Sequence, residues 1–252
     1  MSNGRYLGLS APRRWVGDLL AVSRGVPLIP FERRMNLAPI SLFRKAAGAS
    51  WCSLFVKAFG MVSQRRPELR RSFISIPRHR LYESSTSVAM VAVERQWRGE
   101  PGVFFGQIAE PENHSLAEVE AALHHLKTSP IESIRHYRRL LKVSRFPRPI
   151  RRLAWRFAHD VDGPTRVKYF GTFGISVTAA EGASALSLVS PATSTLHYGI
   201  LAPNGDIDVR LTFDHRVLDG APVARALTEL EETLNGELLR ELKQFNESFA
   251  AA

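Results

Sequence analysis

Cys52 is the only cysteine in a chain of 252 residues, so no intrachain disulfide can form and the chain cannot build a thiolate metal cage. It falls in an apolar helical stretch, where packing is its expected role. No apolar run reaches the roughly 18 residues of a membrane-spanning helix, and the first ten residues lack the apolar core of a signal peptide. These absences predict an intracellular protein, cytoplasmic or peripheral at the membrane. No glycine loop that would cradle a nucleotide phosphate is present. His124 and His125 have no ligand-spaced carboxylate nearby, so they read as surface residues and no metal is expected. No repeat or long Gly/Ser linker divides the chain, and 44% hydrophobic content suffices for the core of one domain over residues 1–252.

Acidic residues are missing from one further stretch. From Arg135 to Arg156 the cations are Arg135, Arg138, Arg139, Lys142, Arg145, Arg148, Arg151, Arg152 and Arg156, with no Asp or Glu among them. They supply nearly all of the formal net charge of +10. Ile134, Tyr137, Leu140 and Leu141 recur at helical spacing, Pro147 and Pro149 interrupt, and Ile150, Leu153, Trp155 and Phe157 continue an apolar set. Two short amphipathic basic helices are predicted, within a basic segment at about 130–162. A solvated helix face is the plain reading. A functional one is an anionic partner: the phosphates of coenzyme A held by Arg135, Arg138, Arg139 and Lys142, an acidic carrier protein, or an anionic membrane. Nucleic acid ranks last, because no helix-turn-helix, zinc or RNA-binding signature accompanies the charge.

Toward the C-terminus, Ile207, Val209, Leu211 and Phe213 alternate with Asp206, Asp208, Arg210 and Thr212, the period of a strand with one buried face. Continued to position 215, that alternation puts His215 on the buried side at a strand end, where an imidazole can serve as a general base. A lone histidine on an apolar face is more often a hydrogen-bonded core residue. Asp219 and Gly220 then lead into Pro222 with Val223, Leu227, Leu230 and Leu234 at helical spacing, so Asp219 is placed to cap that helix and fix the turn. His159, Asp160 and Asp162 before Gly163-Pro164 read as a turn. His197 sits in the strand before the Pro203-Asn204-Gly205-Asp206 turn.

The run Phe213-Asp214-His215-Arg216-Val217-Leu218-Asp219-Gly220 resembles the active-site segment of the dihydrolipoamide acyltransferases, the catalytic domains of 2-oxo acid dehydrogenase complexes, whose fold is shared with chloramphenicol acetyltransferase. Gly171-Thr172-Phe173-Gly174-Ile175-Ser176 is similar to the family's Gly-Thr-Phe-x-Ile-Ser stretch and precedes the histidine in the same order. More loosely, Pro12 to Arg24 reads as a helix, Val26 to Phe31 as an extended segment whose prolines disfavour a central strand, and Ser50 to Val62 as a long helix before Pro67-Glu68-Leu69. Ser115 and Glu118 form a capping box for a helix through Leu126, where the family also has one; the family then has only a short link to its Gly-Thr-Phe strand, so the basic stretch at about 130–162 reads as a helical insertion.

The resemblance implies an α/β two-layer sandwich, a mixed β-sheet with helices on one face, assembled as trimers with the active site between subunits. It implies His215 as general base, Ser176 as hydrogen-bond donor to the oxyanion, and Asp219 as a structural residue paired with an arginine near the first helix, for which Arg13 and Arg14 are the candidates. The implied activity is acyl transfer from a thioester to a thiol, hydroxyl or amine, without a covalent acyl-enzyme. Coenzyme A or acyl carrier protein would be a co-substrate, with no tightly bound cofactor. No lipoyl or peripheral-subunit-binding domain is recognised, which disfavours a core role in a dehydrogenase complex and leaves a lipoyl carrier in trans open. Val177-Thr178-Ala179-Ala180-Glu181-Gly182 departs from the family's Asn-Leu-Gly continuation, and the interval to His215 is short, so a reshaped pocket is expected. The alternative is a non-catalytic trimeric scaffold or carrier-docking protein that keeps the fold.

Overall fold

A computed structural model describes residues 4–179 and 182–250, with the side chains of 248–250 set aside. Helix α1 (Ala11–Ser23) starts on Pro12, whose missing N–H is not needed in a first turn. Its buried Trp15 donates from Nε1 to the Val103 carbonyl at 3.1 Å. Strand β1 (Leu28–Asn36) pairs with β8 (Asp206–Asp214) alone, so it is an edge that tolerates Pro30, as the prolines predict. After α2 (Ala38–Arg44) comes α3 (Trp51–Arg65), capped by Ser50, whose hydroxyl accepts from the Ser53 N–H at 3.1 Å. Leu54, Phe55, Val56, Ala58 and Phe59 of α3 are wholly buried, and Cys52 packs against the same core. Phe59 meets Phe173 edge-on at 4.8 Å, a position where truncation to alanine costs about 3–5 kcal/mol.

A two-stranded ribbon, β2 (Arg71–Ile74) and β3 (Arg80–Glu83), stands apart from the main sheet. The hairpin β4 (Val88–Trp97) and β5 (Glu100–Ala109) leads to α4 (Leu116–Thr128), where the Ser115–Glu118 capping box is formed in both directions. Helices α5 (Arg135–Val143), α6 (Arg148–Asp160) and α7 (Gly163–Phe170) follow, then β6 (Phe173–Ile175), β7 (Ser194–Tyr198) and β8. Helix α8 (Gly220–Thr233) passes through a π-helical turn at Leu234–Leu238 into α9 (Leu239–Ala250).

The six-stranded sheet runs β1-β8-β7-β6-β4-β5, with β6 parallel to both β4 and β7 and the other pairs antiparallel. This is the mixed-sheet α/β fold expected. Strand alternation separates two faces. Ala89, Val91, Phe173, Leu196, Leu211 and Phe213 belong to the face that holds the main core beneath α3 and α8. Met90, Gly174, Thr195 and Thr212 form a row on the other face, and there α1 and α5 wrap around the β5 edge to cover one end.

The basic segment forms its two helices, but they differ. Helix α5 buries Tyr137, Leu140 and Leu141 as its periodicity predicts. In α6 only Trp155 of the expected apolar set turns inward, while Ile150, Leu153 and Phe157 are exposed. The inward face is instead anchored by Arg151, whose Nε lies 2.6 Å from Asp18 of α1, with both side chains buried. The cations therefore do find acid: Asp18 from outside the segment, and Asp160 at 3.6 Å from Arg156. The His159–Asp162 turn is also corrected. His159 and Asp160 end α6, and Asp162 caps α7 by accepting from the Thr165 N–H at 2.8 Å.

Candidate active site

Strand β8 stops at Asp214, one residue short of His215. The N–H groups of Val217 and Leu218 return to the Asp214 carbonyl at 3.0 and 3.1 Å, closing a turn. The Asp214 carboxylate, fully buried, accepts from the Arg216 N–H at 3.0 Å and from its guanidinium at 2.9 and 2.8 Å. Arg216 also lies over the Phe73 ring, 4.4 Å from its centroid. This pairing bends the chain out of the strand, so His215 is not on the buried face as its alternation suggests. Its side chain is 49% exposed, carried on the turn. Pro27 accepts from the His215 N–H at 3.0 Å and ties that turn to the start of β1.

His215 Nδ1 lies 2.9 Å from the Leu218 carbonyl. A carbonyl only accepts, so Nδ1 carries the proton of the neutral ring and Nε2 holds the lone pair. Nε2 has no partner among the described residues. Asp219 occupies the N-cap position of α8 but makes no capping hydrogen bond. It is 84% exposed, 3.6 Å from His215 Nδ1, and pairs with neither Arg13 nor Arg14. The expected bracing of the loop by Asp219 is thus corrected: Asp214 braces it, through Arg216.

Ser176 follows β6, whose entry is set by Gly171 at φ +70°, where a Cβ would meet the Val88 carbonyl oxygen at 2.7 Å. The Ser176 N–H donates to the Leu196 carbonyl at 3.2 Å, and its own carbonyl accepts from His197 Nδ1 at 2.5 Å. His197 is buried, with Nε2 accepting from the Ala185 N–H at 3.0 Å. Burial lowers its pKa, partly opposed by the bond to Ser176, so the neutral ring clamps the Ser176 backbone. The Ser176 hydroxyl makes no hydrogen bond among the described residues.

Ser176 lines a cavity of about 810 Å³, counted to its open mouth, with a largely apolar wall that includes Val16, Leu20, Met90, Phe105 and Tyr169. His136 and Thr195 also line it. Arg135, Arg138 and Lys142 point outward from α5, Arg139 is half-buried, and none of the four lines this cavity. Cations do gather near the His215 turn in a separate open cleft of about 1000 Å³, where Arg152 and Arg156 of α6 face Arg216. Among the described residues no cluster of three or more His, Cys, Asp or Glu is placed to hold a metal ion.

Asp214, Arg216 and His136 escape the sequence reading, and His197, placed in its strand there, clamps the Ser176 backbone rather than facing the cavity. The first two flank His215 directly, and a charged pair at a strand end was the signal available. His136 lies inside a run of cations, where its inward direction is invisible without the helix phase.

No protein-family model matches the sequence, and no curated protein sequence matches it either. Solved structures do. The dihydrolipoamide acetyltransferase of Azotobacter vinelandii superposes with a TM-score of 0.66 at 17% identity, covering 93% of this chain and 92% of that one. That structure addressed the roles of a serine, a histidine and an asparagine four residues later in its catalytic mechanism. The truncated catalytic core of the 2-oxoacid dehydrogenase multienzyme complex from Thermoplasma acidophilum gives 0.66 at 13% identity, over 92% and 99% of the two chains. A chloramphenicol acetyltransferase gives 0.52 at 14% identity, over 90% and 96%. The chain has the chloramphenicol acetyltransferase-like fold. Within that fold the described residues carry the serine and histidine segments on separate strands, with α1 and α5 set around the β5 edge.

Proposed function

We propose that the protein is a thioester-dependent acyltransferase whose site pairs His215 of one subunit with Ser176 of its neighbour in a trimer. The observation that carries this reading is the His215 ring, held by the Leu218 carbonyl at 2.9 Å in the tautomer a general base needs. The serine and histidine studied in the Azotobacter enzyme match Ser176 and His215 in order, and Asp219 follows His215 by four residues as the asparagine follows the histidine there. In this mechanism Nε2 takes the proton from the thiol, hydroxyl or amine of the acceptor as it attacks the thioester carbonyl. The Ser176 hydroxyl donates to the oxyanion. The tetrahedral intermediate collapses by breaking the C–S bond, and His215 returns the proton to the departing thiolate. Coenzyme A or acyl carrier protein is the proposed carrier, as co-substrate. The apolar wall beside Ser176 suits an acyl chain.

The basic segment supports a partner reading. Phe146, Ile150, Leu153 and Phe157, at spacings of four, three and four, are all exposed. Arg145, Arg148, Arg152 and Arg156 run beside them and are exposed as well. An apolar ridge flanked by cations matches an anionic lipid surface, which offers negative headgroups above an apolar interior. On this reading the enzyme works at a membrane face; no helix among the described residues is long and apolar enough to cross one.

The test is a panel of acyl-coenzyme A thioesters of graded length with thiol, amine and alcohol acceptors, followed by free thiol release. Release that disappears in His215→Ala while fold and trimer persist is the expected result. Equal release from His215→Ala would remove His215 from the mechanism, and no release from the wild type with any coenzyme A or carrier-protein donor would favour the scaffold.

A further inference from the structure

Ser176 aside, the cavity it lines is largely apolar, and two of its polar side chains have no part in the mechanism above. His136 of α5 is 5% exposed, and neither ring nitrogen has a hydrogen-bond partner. Thr195 of β7 is also 5% exposed, and its hydroxyl is likewise unpartnered. Both line the cavity that Ser176 lines. Thr195 pairs across the sheet with Gly174, and a Cβ at 174 would lie 3.0 Å from its Oγ1. Alternation puts residues 174 and 176 on one face, so the Thr195 hydroxyl and Ser176 share the cavity side of the sheet. His136 approaches from the helical wall.

Burying a polar group without a partner is unfavourable, and folded proteins rarely leave several in one place without use. Burial, with Arg139 nearby, pushes the His136 pKa down to about 4, so the ring is neutral near pH 7. A neutral imidazole offers one N–H and one lone pair, and a threonine hydroxyl can donate and accept. A hydroxyl on a bound chain satisfies both kinds of site. A methylene satisfies neither, and a carboxylate would enter an apolar wall with no cation to meet it.

We propose that His136 and Thr195 bind a hydroxyl group carried on the acyl chain, making the Ser176 cavity selective for hydroxyacyl over plain acyl thioesters. This rests on the acyltransferase reading for the identity of the chain, but the binding preference can be measured without turnover. Selectivity arises because a plain chain leaves both buried groups unpaired, the situation in which protein sites discriminate most strongly.

The experiment measures binding of saturated acyl-coenzyme A thioesters and their monohydroxylated counterparts of equal length, the hydroxyl moved along the chain, by calorimetry on the wild-type protein, His136→Phe and Thr195→Val. The expected result is at least about tenfold tighter binding of one hydroxylated isomer by the wild type, with the ratio falling toward unity in each variant. Thr195→Val is nearly isosteric and keeps the test decisive where His136→Phe fails to fold. Equal binding of plain and hydroxylated chains, or a preference that survives both substitutions, overturns the proposal. A preference that depends on both residues in a protein without turnover would uphold this site and refute the acyltransferase reading. Turnover without any preference would do the reverse.

Discussion

Within one chain Ser176 and His215 stand at opposite ends of the sheet, following β6 and β8, which are separated by β7. Ile175 is level with Leu196, and Leu196 with Leu211, so Ser176 lies one position beyond that row and His215 four positions before it in the opposite direction. Five positions at strand rise separate them by roughly 16 Å along the sheet. Ser176 shares the parity of Gly174 on the cavity side, while His215 is carried off the strand on its turn, with its ring 5.9 Å from Phe213 of the core side. One thioester cannot touch both within a single chain, which is why the proposed site is shared between subunits.

The Asp214–Arg216 pair gives the first prediction. Arg216→Ala leaves a fully buried carboxylate without its two guanidinium bonds, a change that costs about 3–5 kcal/mol, moderated here by the buried Arg166, whose charge interacts favourably with Asp214. Urea unfolding at fixed protein concentration should show that loss together with loss of thiol release. A variant as stable as wild type would mean that the pair does not brace the His215 turn.

Acid stability follows from three buried histidines. His136, His159 and His197 have pKa values lowered first by burial. Between their folded values and the unfolded value near 6.5 the unfolded chain binds more protons. Their contribution is therefore complete above about pH 6.5 and is lost as pH falls, for His136 down to about 4. His136 alone accounts for on the order of 3 kcal/mol across that window. Unfolding midpoints should drop from pH 7 to pH 4.5 and drop less in His136→Phe. Identical profiles for the two proteins would contradict the burial of a neutral ring.

Membrane docking is read from vesicles. The protein should cosediment with phosphatidylglycerol-containing vesicles, bind pure phosphatidylcholine weakly, and dissociate as salt rises. Removing two cations in Arg148→Ser with Arg152→Ser costs about 2 kcal/mol, a roughly 30-fold drop in partitioning. Leu153→Glu should weaken binding further by charging the apolar ridge. Binding indifferent to lipid charge and to these substitutions would reject the membrane surface, and capture of purified acyl carrier protein through the same residues would assign it to a carrier.

The legible parts of the fold were those where one physical pattern dominates. The alternation of Ile207 to Phe213 marks β8, the Ser115–Glu118 box starts α4, and Pro30 keeps β1 at an edge. Periodicity identifies an apolar stripe on α6 but not which way it faces. That was decided by Arg151 reaching Asp18, 133 residues away, a pairing no local pattern records. The turn at His215 misled for a related reason: alternation predicts burial only while the strand lasts, and the Asp214 carboxylate ends it. His136 reads as one more polar residue among arginines until the phase of α5 places it in the cavity.

The most direct measurement is complementation between two inactive variants. Ser176→Ala and His215→Ala, each folded and each with rate reduced on the order of 10²-fold or more, are unfolded together, refolded as mixed trimers and assayed for thiol release. Random assembly gives about a quarter of the sites an intact serine from one subunit and an intact histidine from the next. The account predicts recovery to about a quarter of wild-type activity. Mixed trimers that form and stay as inactive as their parents would contradict a site shared between Ser176 and His215 of neighbouring subunits.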